Sequence, residues 1–190
     1  MDELLQAFHH NGLIQFGRFV TAGDDIKPLQ LSFEFLPSYP RLLADTAQRL
    51  VTMCAQTFDV FDFLFCPAEG IPLGMAMSLQ TDKPLLYSTH RASNARDFIG
   101  AYDVGHPAVL VVPVFEDEEK ITRLARDVQR VGLEMVGVVC LLRMATPHRM
   151  QVASLYEIDT VLAMFKQQGW LPQTQSVQVQ AWLANHHRQG

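Results

Sequence analysis

Val109-Leu110-Val111-Val112-Pro113-Val114-Phe115, then Glu116-Asp117-Glu118-Glu119-Lys120, is the stretch from which the fold can be read. Its first half is apolar without alternation, the pattern of a strand buried on both faces. Beyond the acidic turn, Ile121, Leu124, Ala125, Val128 and Val131 recur at spacings that share one helix face. Gly132 suits the left-handed position just past a helix end, and Met135 to Leu142 forms a second wholly apolar run ending at Arg143. Strand, helix and strand in that order define a parallel unit. Such units place ligands at the carboxyl ends of their strands. Here that end carries four consecutive carboxylates.

Working outward, Val60 to Phe65 reads as another parallel strand, running into Cys66-Pro67-Ala68-Glu69-Gly70-Ile71-Pro72 and a small-residue helix. Leu85 to Ser88 is a short strand. Residues 89–106 form a long polar connection carrying His90, Arg91, Arg96 and Asp97, and a connection of that length is commonly functional. Asp2 is placed to cap a helix burying Leu4, Leu5 and Phe8, closed by Gly12. Leu29, Leu31, Phe33 and Phe35 alternate with polar residues, the period of a half-buried strand. Pro40 starts a helix with Leu43, Ala47, Leu50, Val51 and Cys54 inward. A helix is expected from about Asp159 to Gln168, closed by Gly169, and a last one from a cap at Ser176. Alternating strands and helices make the class α/β with a parallel sheet. No repeat or linker divides the 190 residues, so one domain is expected.

The totals narrow the function. Hydrophobic content of 48% and charged content of 18% suit a globular protein with one well-buried core. A formal net charge of -5 argues against a nucleic-acid-binding surface. No apolar run reaches the roughly 20 residues that cross a bilayer, and the start lacks the basic and apolar regions of a signal peptide, so a cytoplasmic location is expected. Cys54, Cys66 and Cys140 are far apart and lie in or beside apolar runs, as buried reduced thiols do. His9, His10, His186 and His187 have no metal-ligand spacing and read as solvated helix ends.

Several of these pieces, in this order, resemble the type I phosphoribosyltransferases, orotate phosphoribosyltransferase most closely. Leu13 to Phe19 looks like the entry to that family's N-terminal hood, and Phe61 to Leu73 like its strand and pyrophosphate loop. Val109 to Val112 is similar to the strand before its phosphate loop. Gly132 to Arg143 is similar to the strand ending in an arginine that contacts the base. Ser154-Leu155-Tyr156-Glu157-Ile158 looks like its C-terminal segment. The resemblance implies a hood over residues 1–40, an α/β core over 41–150, C-terminal helices over 151–190, and a homodimer. It also implies transfer of ribose 5-phosphate from phosphoribosyl pyrophosphate to a base, through an oxocarbenium-like transition state around magnesium.

The chain departs from the pattern where that chemistry is done. The family's two ribose-binding acids fall on Pro113 and Val114, which carry no such oxygen. Its phosphate loop of threonine and glycine, which offers backbone N–H groups to the 5-phosphate, is replaced by Glu116, Asp117, Glu118 and Glu119. Unit charges about 8 Å apart in water repel by roughly 0.5 kcal/mol, so four carboxylates oppose a phosphate by a few kcal/mol before screening. A helix dipole, worth about 0.3 to 1 kcal/mol to an exposed anion, does not offset that. Asp117 also reads simply as a helix cap, and that reading is preferred over a metal site.

In the long connection Arg91 matches the family's cationic loop in type and Arg96 approximately, but no lysine is present. The pyrophosphate-loop equivalent is Ala68, Glu69, Gly70 and Ile71. There Gly70 permits a strained backbone, while Glu69 opposes anions; a plain strand-to-helix turn fits the same residues. Arg143 is the candidate base contact, or one half of a surface ion pair. Phe33 and Phe35 are candidates for ring stacking or for the core.

The leading expectation is an orotate phosphoribosyltransferase-like protein without ordinary turnover, binding a nucleobase, nucleotide or carboxylate ligand, with no catalytic residue and no metal of its own. The alternative is an active transferase with an atypical donor site, using magnesium. A flavodoxin-like mononucleotide binder ranks third, because Pro67-Ala68-Glu69-Gly70 makes a poor phosphate loop.

Overall fold

The computed structural model describes residues 2–20, 23, 25–88 and 98–186. Its centre is the unit expected from the apolar runs. Strand β6 (Pro107–Phe115) feeds helix α4 (Glu118–Arg130), which returns to strand β7 (Glu134–Arg143) in parallel register, Val112 opposite Cys140 and Phe115 opposite Arg143. Gly132 takes a φ of +88°, the left-handed conformation that glycine adopts without a Cβ penalty.

Around this unit lie β3 (Phe63–Cys66), β4 (Leu85–Ser88), β5 (Phe98–Ile99) and β8 (Val152–Glu157), giving the order β5-β4-β3-β6-β7-β8. Only the short β5 runs antiparallel to its neighbour. Two cores fill the faces. On one, Leu50 and Cys54 of α2 (Pro40–Thr57), Leu73 and Met77 of α3 (Ile71–Thr81) and Phe165 of α5 (Ile158–Gln167) pack with Val109, Val111 and Val139 of the sheet. On the other, Ile121 and Val128 of α4 pack against Leu110, Val112, Val138 and Cys140. A central strand buried on both faces must be apolar at every position, which is why β6 shows no alternation.

Asp2 caps α1 (Glu3–His10) by accepting from the Leu4 and Leu5 amides, and Leu4, Leu5 and Phe8 are buried as expected. Strands β1 (Ile14–Val20) and β2 (Ile26–Leu31) pair as a separate antiparallel ribbon. Helix α6 (Gln173–His186) packs against β2, and Lys27 lies 6.0 Å from the Trp182 ring centre. All three cysteines are buried and free. Burial pushes the Cys54 and Cys66 thiols up to about 12 and raises Cys140 as well, so all three are neutral and unreactive near pH 7.

Several expectations need correction. The alternation from Leu29 ends as a strand at Leu31, where the Ser32 amide turns to the Leu13 carbonyl and residues Phe33–Ser38 wind into a 3-10 turn. Phe33 enters the core edge-on to Phe8, whereas Phe35 is exposed and is not part of the core. The strand expected from Val60 starts only at Phe63, with Val60 in solvent. Residues 151–190 are not wholly helical, because Val152–Glu157 completes the sheet as β8. Helix α6 starts at Gln173, after Pro172; Ser176 is buried inside its first turn, not a cap. His9 is not a solvated end: its ring stacks on Trp170 at 4.5 Å and meets Phe165 edge-on at 5.1 Å. Burial and the neighbouring His10 lower its pKa, which keeps the packed ring neutral.

Candidate functional site

The carboxyl ends of β3, β6, β7 and β8 carry the sequence-nominated residues other than Arg91 and Arg96, and the chemistry of each follows from its immediate partners. After Cys66 the chain makes one 3-10 turn, Ala68–Gly70, and enters α3 at Ile71. Gly70 has φ -90° and ψ -10°, an ordinary right-handed conformation, so the expected strained backbone is absent. Glycine is needed here for closeness instead. A Cβ would run into the Val111 carbonyl oxygen and lie 3.0 Å from the Cys66 Cβ. The turn therefore rests directly on the central strand.

The strand order changes direction between β3 and β6, the switch point at which α/β sheets form a crevice, and across it from this turn stands the acidic stretch. Pro113 and Val114 remain within β6, which is paired with β7 as far as Phe115. Pairing with β3 ends at Leu110, so Pro113 lies beyond the doubly paired part of the strand, where a missing N–H is tolerated. The Phe115 carbonyl then accepts from the Met144 and Ala145 amides at 2.8 and 3.2 Å. The strand ladder is complete to its last residue.

The four acids have separate duties. Asp117 is the N-cap of α4, its Oδ1 accepting from the Glu119 and Lys120 amides at 2.8 and 3.2 Å. Glu118 reaches across to the loop after β7, where its Oε1 accepts from the His148 and Arg149 amides at 2.9 and 2.7 Å. Burial acts to raise its pKa, but these two N–H groups and the nearby His148 and Arg149 charges hold it below the usual carboxylate value. Glu116 and Glu119 are exposed. No sequence signal pointed to Lys120, which closes the crevice by pairing its Nζ with Glu69 Oε1 at 3.0 Å, 51 residues away.

Arg143 ends β7, and its Nε pairs with Glu157 Oε2 at 2.7 Å on the adjacent strand. The other oxygen of Glu157 accepts from Ser154 Oγ at 2.6 Å. Arg91 and Arg96, with His90 and Asp97, lie outside the described residues.

These side chains do not fit a metal held by the protein. Pro113 and Val114 offer no ligand oxygen, Asp117 is engaged with backbone amides, and Glu69 is paired with a lysine. Among the described residues no three histidine, cysteine or acidic side chains group as a metal site. A shallow depression of about 560 Å³ lined by Asn11 and Ser38 to Leu42 lies elsewhere and shares no residue with the strand ends.

Comparison with known proteins decides the fold. Leishmania donovani UMP synthase superposes over 96% of this chain with a TM-score of 0.81 at 19% identity, and the chain spans 42% of that longer protein. The orotate phosphoribosyltransferase of Francisella tularensis superposes over 96% of this chain and 98% of its own, with a TM-score of 0.71 at 16% identity. This is the type I phosphoribosyltransferase fold. In sequence, the orotate phosphoribosyltransferase of Thermococcus kodakarensis is 25% identical over 142 residues, 73% of this chain and 77% of that one. That of Pyrococcus horikoshii is 25% identical over 141 residues, 72% and 76% of the two chains. No protein-family model matches the chain. Among the described residues of this phosphoribosyltransferase-fold protein, no helix is long and apolar enough to cross a membrane.

Proposed function

We propose that this phosphoribosyltransferase-fold chain is an orotate phosphoribosyltransferase-like binding or regulatory protein that does not turn over phosphoribosyl pyrophosphate. It holds a nucleobase or nucleotide beside Arg143, in the cytoplasm. The observation that carries this reading is the Asp117 cap. The backbone N–H groups at the start of α4, the kind of anion seat a phosphate needs, already donate to a side-chain carboxylate. The Glu69–Lys120 pair supports it, because it places an acid and a base of this chain across the crevice that pyrophosphate would enter.

Calorimetric titration with phosphoribosyl pyrophosphate and magnesium is expected to give no micromolar binding, and a coupled assay no orotidylate. Either signal would favour the alternative, an active transferase with an atypical donor site. Replacing residues 116–119 by a threonine-glycine loop is expected to raise phosphate affinity by on the order of tenfold, about 1.4 kcal/mol. A threonine in the capping position keeps the helix start satisfied. No gain in affinity would count against this assignment of the loop.

The same reading includes a homodimer. Helix α3 carries no charged residue over Ile71–Thr81, yet Met75 and Leu79 are 54% and 87% exposed. A helix apolar on its outer face as well as its inner one is suited to a subunit contact. In a chain of net charge -5, an uncharged face is also where two copies meet with least repulsion. Light scattering is expected to give twice the 21.4 kDa chain mass, and Leu79→Lys to give the monomer. A monomeric wild type would remove the dimer from the reading.

A further inference from the structure

We propose that the site beside Arg143 selects an uncharged ring over one bearing a carboxylate, and that Glu157 is the residue that sets this preference. The inference rests on the reading of Arg143 as a ligand contact. A lone arginine at the carboxyl end of a strand would favour an anionic ligand. This arginine is not alone: Arg143 and Glu157 are register partners on adjacent parallel strands, and their side chains meet at 2.7 Å.

Glu157 is fixed in that role. It occupies the N-cap position of α5, where serine, threonine, aspartate or asparagine would bond the first amides, but its side chain makes no capping bond. One carboxylate oxygen faces Arg143 and the other accepts from Ser154 Oγ at 2.6 Å. Both oxygens are therefore committed on the sheet side of the helix start. The pair has no net charge. A ligand carboxylate arriving here either approaches Glu157 as a like charge or displaces it, leaving the acid without its cation and Ser154 without its acceptor. The pair is partly screened, with 29% and 42% of the two side chains exposed, so the discrimination is finite. An uncharged ring with carbonyl acceptors and N–H donors carries no such penalty.

Uracil and orotate test this directly, since orotate is the uracil ring with a carboxylate added. Calorimetry on the full chain is expected to show uracil binding at least tenfold more tightly than orotate. Glu157→Gln keeps the side-chain length and an acceptor for Ser154, and no cap is lost. It should shift the uracil-to-orotate ratio towards orotate by tenfold or more, about 1.4 kcal/mol. Adding Arg143→Gln to that variant should abolish the shift, which assigns it to the unmasked guanidinium. A wild type that prefers orotate, or a ratio unmoved by Glu157→Gln, overturns the proposal while leaving Arg143 as a ligand contact. Failure of both rings to bind wild type and Glu157→Gln alike, with thermal melting showing both folded, would overturn the Arg143 binding reading and this inference with it.

Discussion

Phe165→Ala is expected to destabilise the protein by about 3 to 5 kcal/mol, the usual range for emptying a buried aromatic site. Phe165 is fully buried and sits where distant parts of the chain converge. Its ring meets Phe16 of β1 at 5.3 Å, His9 of α1 at 5.1 Å and Trp170 at 5.3 Å, all edge-on. The backbone closes around it, since the Trp170 and Leu171 amides both donate to its carbonyl at the end of α5. Truncation removes the apolar area and leaves a cavity that three aromatic neighbours from separate segments cannot jointly collapse into. The same position as leucine should lose much less, about 1 to 2 kcal/mol, because most of the volume is kept. Urea denaturation midpoints with unchanged slopes would measure both. A cost below about 1 kcal/mol for alanine would mean that the N-terminal segment does not rest on α5 in solution.

Asp2→Ala should cost about 2 to 3 kcal/mol, far more than a terminal residue ordinarily does. Its carboxylate has three duties: capping α1, accepting from the Tyr156 hydroxyl at 2.8 Å, and pairing with Arg49 at 3.1 Å. Loss of the cap accounts for about 1 kcal/mol. The partly buried Tyr156 hydroxyl losing its acceptor adds about 1 to 2, while the exposed Arg49 pair adds little. Burial and the Asp2 carboxylate both push the Tyr156 pKa up, so the phenol remains the donor. For Asp2 itself, burial is outweighed by Tyr156, Arg49 and the two capping amides, and its pKa falls below 3.8. A carboxyl lowered by folding stabilises the native state above its unfolded pKa, and that contribution disappears as pH falls through the folded value. The gap between wild type and Asp2→Ala should therefore be constant near neutrality and narrow below about pH 3.8. Asp2→Asn, which can still cap, should fall between the two at pH 7. Urea titrations at pH 7 and pH 3 separate these outcomes, and a gap independent of pH would remove the charge from the explanation.

The central unit was legible because burial on both faces imposes uniform apolarity on β6 and β7, and because Gly132 marks the helix end with a conformation other residues avoid. The last strand was not. β8 is an edge strand, and Val152–Glu157 mixes Ser154 and Glu157 with apolar residues of which Ala153 and Tyr156 are buried and Val152 and Leu155 only partly so, at spacings that give no clean period. The alternation through Phe35 misled for the opposite reason: a period of two continued after the backbone had turned. At the site, Arg143, Glu69 and the acidic stretch could be picked out by position alone. Their partners could not, because Arg143–Glu157 depends on β8 lying beside β7, and Glu69–Lys120 on how α3 and α4 flank the crevice. Sequence nominates a charge; only topology says what neutralises it.

The completed ladder at the end of β6 bears on how readily this frame could acquire transferase chemistry. An aspartate in place of Pro113 or Val114 would add a carboxylate beside Glu116 and replace an apolar strand residue. Removing Asp117 uncaps α4, and removing Glu69 leaves the half-exposed Lys120 to solvent. The Asp117 cap is the costly loss, about 1 kcal/mol, the half-exposed Glu69–Lys120 pair adds little, and none of these exchanges alone creates a place for a sugar phosphate. A stepwise route that removes Asp117 first would therefore cross an uncapped intermediate, which a serine or threonine placed directly at that position would avoid.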